Sequence, residues 1–152
     1  MNWPLEELHA DINTECAQLH TPLSVALQAA AEPIVDAMMS QNIRTNKGQL
    51  MHYALWRALK QPIWDTRLMD WLLEKGAPID KRRYDCDEES EVVHQMRAIP
   101  FGTPLHIAVK AGNPIAVEYL LRNGARPDLE DEENKTPLDV ATGEIRQLLQ
   151  GR

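Results

Sequence analysis

The groups in this chain that could do chemistry are five histidines, two cysteines and two dense runs of carboxylates. A hydrolytic or metal centre needs such groups at fixed spacings. The familiar patterns are absent: no glycine-rich phosphate loop, no H-E-x-x-H, no G-x-S-x-G, and no cysteine–histidine set with zinc spacing. His94 with Asp87, Glu89 and Glu91 brings ligand types together, yet carboxylates one or two residues apart in a charged loop are more often solvated than ligating. Cys16 and Cys86 are too few and too far apart for a disulfide framework and read as reduced thiols of a cytoplasmic chain. No cofactor is expected. The carboxylate runs suit electrostatic attraction instead: "DLEDEE" (128–133) has five acids in six positions and "DCDEESE" (85–91) five in seven. With a net charge of −7, the expected partner is a basic protein, not nucleic acid or an anionic membrane.

The elements that must carry these groups are legible from a period. Thr103 opens "TPLH" and Thr136 opens "TPLD", 33 residues apart, a spacing characteristic of stacked helical pairs. At Thr103-Pro104 a hydroxyl can cap free amides and proline occupies the first helical position. A short helix through Lys110 follows, then a turn at "AGN". A second helix runs from Pro114 to about Arg122 with Ile115, Val117, Leu120 and Leu121 as its apolar face, and "NGA" closes it.

The stretch "GTPLHIAVKAGNPIAVEYLLRNGARPD" (102–128) resembles the ankyrin repeat family along nearly its whole length. The resemblance implies an all-α solenoid of stacked antiparallel helix pairs, with a finger projecting from each. Further copies can be laid on that template. An N-terminal capping helix is expected over 1–20, with Leu5, Leu8, Ile12, Cys16 and Leu19 on one stripe that covers the first repeat or meets a partner chain. Repeat 1 spans 21–48, repeat 2 spans 49–101, repeat 3 spans 102–135, and a C-terminal capping repeat spans 136–152. Repeat 2 carries two insertions: six residues around "LKQPIWD" that lengthen the joint between its helices, and fifteen more in the finger before repeat 3. One single domain is expected, with neither secretory signal nor membrane span.

Within that family, contacts come from finger tips and from positions just after the conserved alanine of the first helix. By position these are Trp56 and Arg57 in repeat 2, and Lys110 and Ala111 in repeat 3. Trp56 beside Arg57 is a hot-spot pairing; the alternative is that Trp56 folds under the insertion with Trp64. Trp71 reads as packing. The acidic candidates are Asp85, Asp87, Glu88 and Glu89 in one finger, and Glu130, Asp131, Glu132 and Glu133 in the next, with Tyr84 an anchor of the first. His52 and His106, at the last position of T-P-L-H, are expected to hydrogen-bond between repeats. The function implied is a non-catalytic protein-binding module. Two alternatives stand beside it: an immunity or inhibitor protein covering the cleft of a basic toxin or nuclease, and a metal or enzyme site within 81–100.

Overall fold

Each T-P-L-x motif starts a helix because the side chain three residues after the threonine closes the free helix end. In the computed structural model, which describes residues 12–13, 21–28, 32–46, 49–82 and 102–151, that side chain differs each time. Ser24 Oγ accepts from Thr21 N–H at 2.9 Å, His106 Nδ1 accepts from Thr103 N–H at 3.2 Å, and Asp139 Oδ2 accepts from Thr136 N–H at 2.9 Å. These reciprocal caps satisfy amides that the first helical turn leaves without partners.

Eight helices lie among the described residues, and none of those residues is in a strand. They are α1 (Pro22–Gln28), α2 (Glu32–Met39), α3 (Leu50–Lys60), α4 (Arg67–Glu74), α5 (Pro104–Lys110), α6 (Pro114–Arg122), α7 (Pro137–Val140) and α8 (Gly143–Gln150). Consecutive helices pair as α1–α2, α3–α4, α5–α6 and α7–α8. The odd-numbered helices form one layer, α1 on α3, α3 on α5, and α5 on α7; α6 and α8 pack in the outer layer. This is an ankyrin-type helical solenoid. Its core is a continuous column that includes Leu23, Leu55, Met69, Leu72, Leu105, Ile107, Val117 and Leu120, each fully buried. Neighbouring units share these side chains, so no pair buries its apolar face alone.

The second helix of each pair ends in the same way. Ala77 N–H donates to Leu72 O at 2.8 Å and Ala125 N–H to Leu120 O at 2.9 Å, with a glycine before each alanine. The face of α6 departs from expectation at one position. Ile115 is 58% exposed, and Ala116 takes the inward place beside Val117 and Leu120. On α8, Glu144, Arg146, Gln147 and Gln150 are exposed while Ile145 and Leu149 are buried, so one face of the helix is polar.

The six-residue insertion of the second pair does more than lengthen a joint. Helix α3 has 11 residues where α1 and α5 have 7, so an extra turn absorbs much of it. That turn carries Leu59 and Lys60 past the end of its neighbours, and 61–66 then cross to α4.

Candidate interaction surface

Two histidines hold the layers in register. A carbonyl can only accept, so each Nε2 is the donor: His52 Nε2–H to Gly102 O at 3.0 Å, and His106 Nε2–H to Lys135 O at 2.9 Å. Both acceptors stand immediately before the threonine of the next layer. Since Thr103 N–H donates to Nδ1, the His106 ring is the neutral Nε2–H tautomer. Burial pushes its pKa below 6.5, against the opposing pull of the Lys135 hydrogen bond and the Asp131 charge. The family-derived expectation for these histidines is met. In the first layer Ser24 occupies the equivalent place, and its hydroxyl turns back to Thr21 O at 2.8 Å.

The second carboxylate run does not form one uniform negative tip. Asp131 is only 3% exposed. Its Oδ1 accepts from Glu133 N–H at 2.9 Å and Lys135 N–H at 3.1 Å, and its Oδ2 from Lys110 Nζ at 3.2 Å. Burial alone would raise its pKa; the two amides and the Lys110 ammonium outweigh burial and hold the carboxyl below 3.8. Asp131 is therefore corrected from a partner-facing acid to the centre of the finger's turn, with Asn134 at φ 56 completing the reversal. Gly102 sits against this knot. A Cβ there would come within 2.8 Å of His106 Cγ and 3.0 Å of Asp131 Cβ, and φ is +112°, so no other residue fits.

Two further acids of the run have cations beside them: Asp128 with Arg126 at 2.7 Å and Glu133 with Lys135 at 2.6 Å. Glu130 and Glu132 are exposed and make no ion pair among the described residues. Adjacent finger bases are stitched together, Arg126 N–H donating to Asp80 Oδ1 at 2.9 Å; one layer earlier, Thr45 Oγ1 donates to Lys75 O at 2.7 Å. Tyr84, Asp85, Asp87, Glu88 and Glu89 lie outside the described residues, as do His94 and its neighbouring acids.

On the inner layer, Trp56 is half-buried against the core, and Lys60 Nζ lies 4.6 Å from its ring centroid. The extra turn of α3 supplies this cation–π contact. Arg57 is half-buried, with both terminal guanidinium nitrogens shielded from water. Lys110, though exposed, is tied to Asp131 and so links inner layer to finger.

The sequence did not reveal a lock on the outer side. Trp64, in the α3–α4 crossing, meets Tyr119 of α6 edge-on, with centroids 6.2 Å apart and planes at 74°. Tyr119 Oη donates to Asp70 Oδ1 at 2.6 Å, and Thr66 Oγ1 donates to Asp70 Oδ2 at 2.7 Å. Burial first, and then the Asp70 contact, hold the phenol protonated far above its usual range. Trp64 thus pairs across layers instead of with Trp56. Trp71 is partly buried against the core, as packing requires.

Comparison with known proteins places residues 99–141 on the family model described as ankyrin repeats in many copies. An E3 ubiquitin-protein ligase of Caenorhabditis elegans is 39% identical over 74 residues, 49% of this chain and 3% of that protein. An E3 ubiquitin-protein ligase of Drosophila melanogaster is 36% identical over 74 residues, 49% of this chain and 2% of that one. A palmitoyltransferase of Homo sapiens is 47% identical over 47 residues, 31% of this chain and 8% of it. The chain spans 2–8% of the length of these relatives, so the activities in their names belong to them. Among the described residues no helix is long and apolar enough to cross a membrane.

Proposed function

This chain belongs to the ankyrin-repeat family through residues 99–141, and from that premise we propose that it is a non-catalytic module binding a basic protein through its inner helix layer and acidic fingers. Ankyrin repeats are generally protein–protein interaction modules, and the family is typically non-catalytic. The reading of 1–152 as a single domain of four repeat layers behind an N-terminal cap is part of the same proposal.

The observation that carries it is the Lys110–Asp131 ion pair at 3.2 Å. It ties the inner layer to the finger that bears Glu130 and Glu132, and a rigid support reduces the ordering cost of binding. Two exposed carboxylates on such a mount, without an ion pair among the described residues, favour a cationic surface and speed its approach at low salt. Trp56, with one face under Lys60, supplies an amphipathic edge for the same partner.

The test is affinity capture with the immobilised chain at low and at high salt, with bound proteins identified by mass spectrometry. Basic proteins should be retained at low salt, and Glu130→Lys/Glu132→Lys should release them without changing the melting temperature. If both baits capture the same proteins at either salt, the acidic-finger reading fails.

A further inference from the structure

Helix α3's extra turn and the 61–66 crossing hold α4 away from α2, and a cleft of about 630 Å³ remains between them. Val35 and Met39 on α2 and Ile63, Trp64 and Leu68 on the crossing and α4 give it apolar sides, and Arg57 and Gln61 also line it. The volume lies in the range of sites that hold a ligand or an inserted side chain. Trp64, fixed edge-on against Tyr119, keeps one wall preformed. On the rim stands Ile63, 77% exposed and the most exposed large apolar residue among those described. Charges of both signs surround it. Asp36 belongs to the α2 side; Arg67, on the α4 side, is paired with Asp65 at 2.7 Å, and the field of Asp36 also raises its pKa.

A protruding apolar side chain next to a cleft with apolar sides, ringed by charges of both signs, is its own complement. We propose that two copies of this chain associate through the cleft about a two-fold axis lying along it, each Ile63 entering the cleft of the other. That axis sets Arg67 of each copy opposite Asp36 of the second. Charge favours this occupant over a basic or acidic partner. Two chains of net charge −7 repel over most of their surfaces, and a patch where Asp36 and Asp65 are matched by Arg57 and Arg67 is where they can meet. Arg57 lines the cleft but Trp56, Glu130 and Glu132 do not, so the acidic-finger reading is tested by other variants and stands or falls separately.

The test is the mass of the purified chain by sedimentation or light scattering, from low micromolar to near-millimolar concentration. The mass should rise from one chain towards two. Ile63→Asp should weaken association at least about tenfold while leaving the melting temperature unchanged, because the side chain is already in water. Arg67→Asp and Asp36→Arg should each weaken it, and the two in one chain should restore it, since each new acid then faces a new base. A single-chain mass at every concentration would overturn the proposal, as would association unaffected by Ile63→Asp or not regained in the double variant. Loss of a captured protein by Ile63→Asp with no change in mass would assign the cleft to a different chain, and would overturn it equally.

Discussion

Neighbouring acids in one run play opposite roles, and substitution separates them. Asp131→Ala removes the buried acceptor of two backbone amides and of Lys110, so the contacts that close the finger's turn are lost together. The expected cost is about 1–3 kcal/mol, read as a lower denaturant midpoint at unchanged slope. Glu130→Ala, at an exposed position with no ion pair among the described residues, should stay within about 0.5 kcal/mol of the parent. The sequence could not tell these two apart, because a string of acids carries no record of which one the turn takes inward. Only the trailing Asn134, a residue that tolerates positive φ, hinted at a tight reversal there. His106 adds a pH dependence. Its folded pKa lies below 6.5, so below that pH the unfolded chain binds more protons than the folded one. The neutral ring's contribution is therefore present above pH 6.5 and is lost as pH falls through the folded value. Melting temperature should drop with acidification in this window, and His106→Gln, less stable at neutral pH, should show a shallower drop. A slope identical in both proteins would show that His106 is not its source.

At the scale of elements, helix starts and stops were readable because they rest on local chemistry. Thr-Pro fixes the entry to α5 and α7, and a glycine before alanine fixes the exit from α4 and α6. The fate of the insertion was not readable, since its length alone does not distinguish a longer helix from a longer loop. It became a turn of α3 carrying Lys60 back over Trp56, together with a crossing that sends Trp64 to Tyr119. Contacts between side chains 55 residues apart leave no periodic trace. The lock they form can be probed lightly. Tyr119→Phe keeps the ring but removes the 2.6 Å bond to Asp70, and should cost about 0.5–1.5 kcal/mol in chemical denaturation. Trp56→Ala should weaken partner capture with little change in melting; a large fall in melting temperature would instead make Trp56 part of the core.

For the molecule as a whole, stability is a sum over layers and the contacts between them. These contacts are unequal. His52 and His106 each reach the following layer, whereas the hydroxyl of Ser24 is spent on its own helix start. Local opening should therefore begin in the first layer. Hydrogen exchange is expected to be faster in 22–39 than in 104–122, and equal protection in both would contradict this ordering. Two fixed points frame the long segment before the third layer: the Asp80 carboxylate, which holds the amide of Arg126, and the Gly102 carbonyl, held by His52. Both anchorages belong to residues of the layers themselves, so the seam between the second and third layers is pinned at its two edges, and a change at Asp80 or Gly102 would loosen that seam before any other.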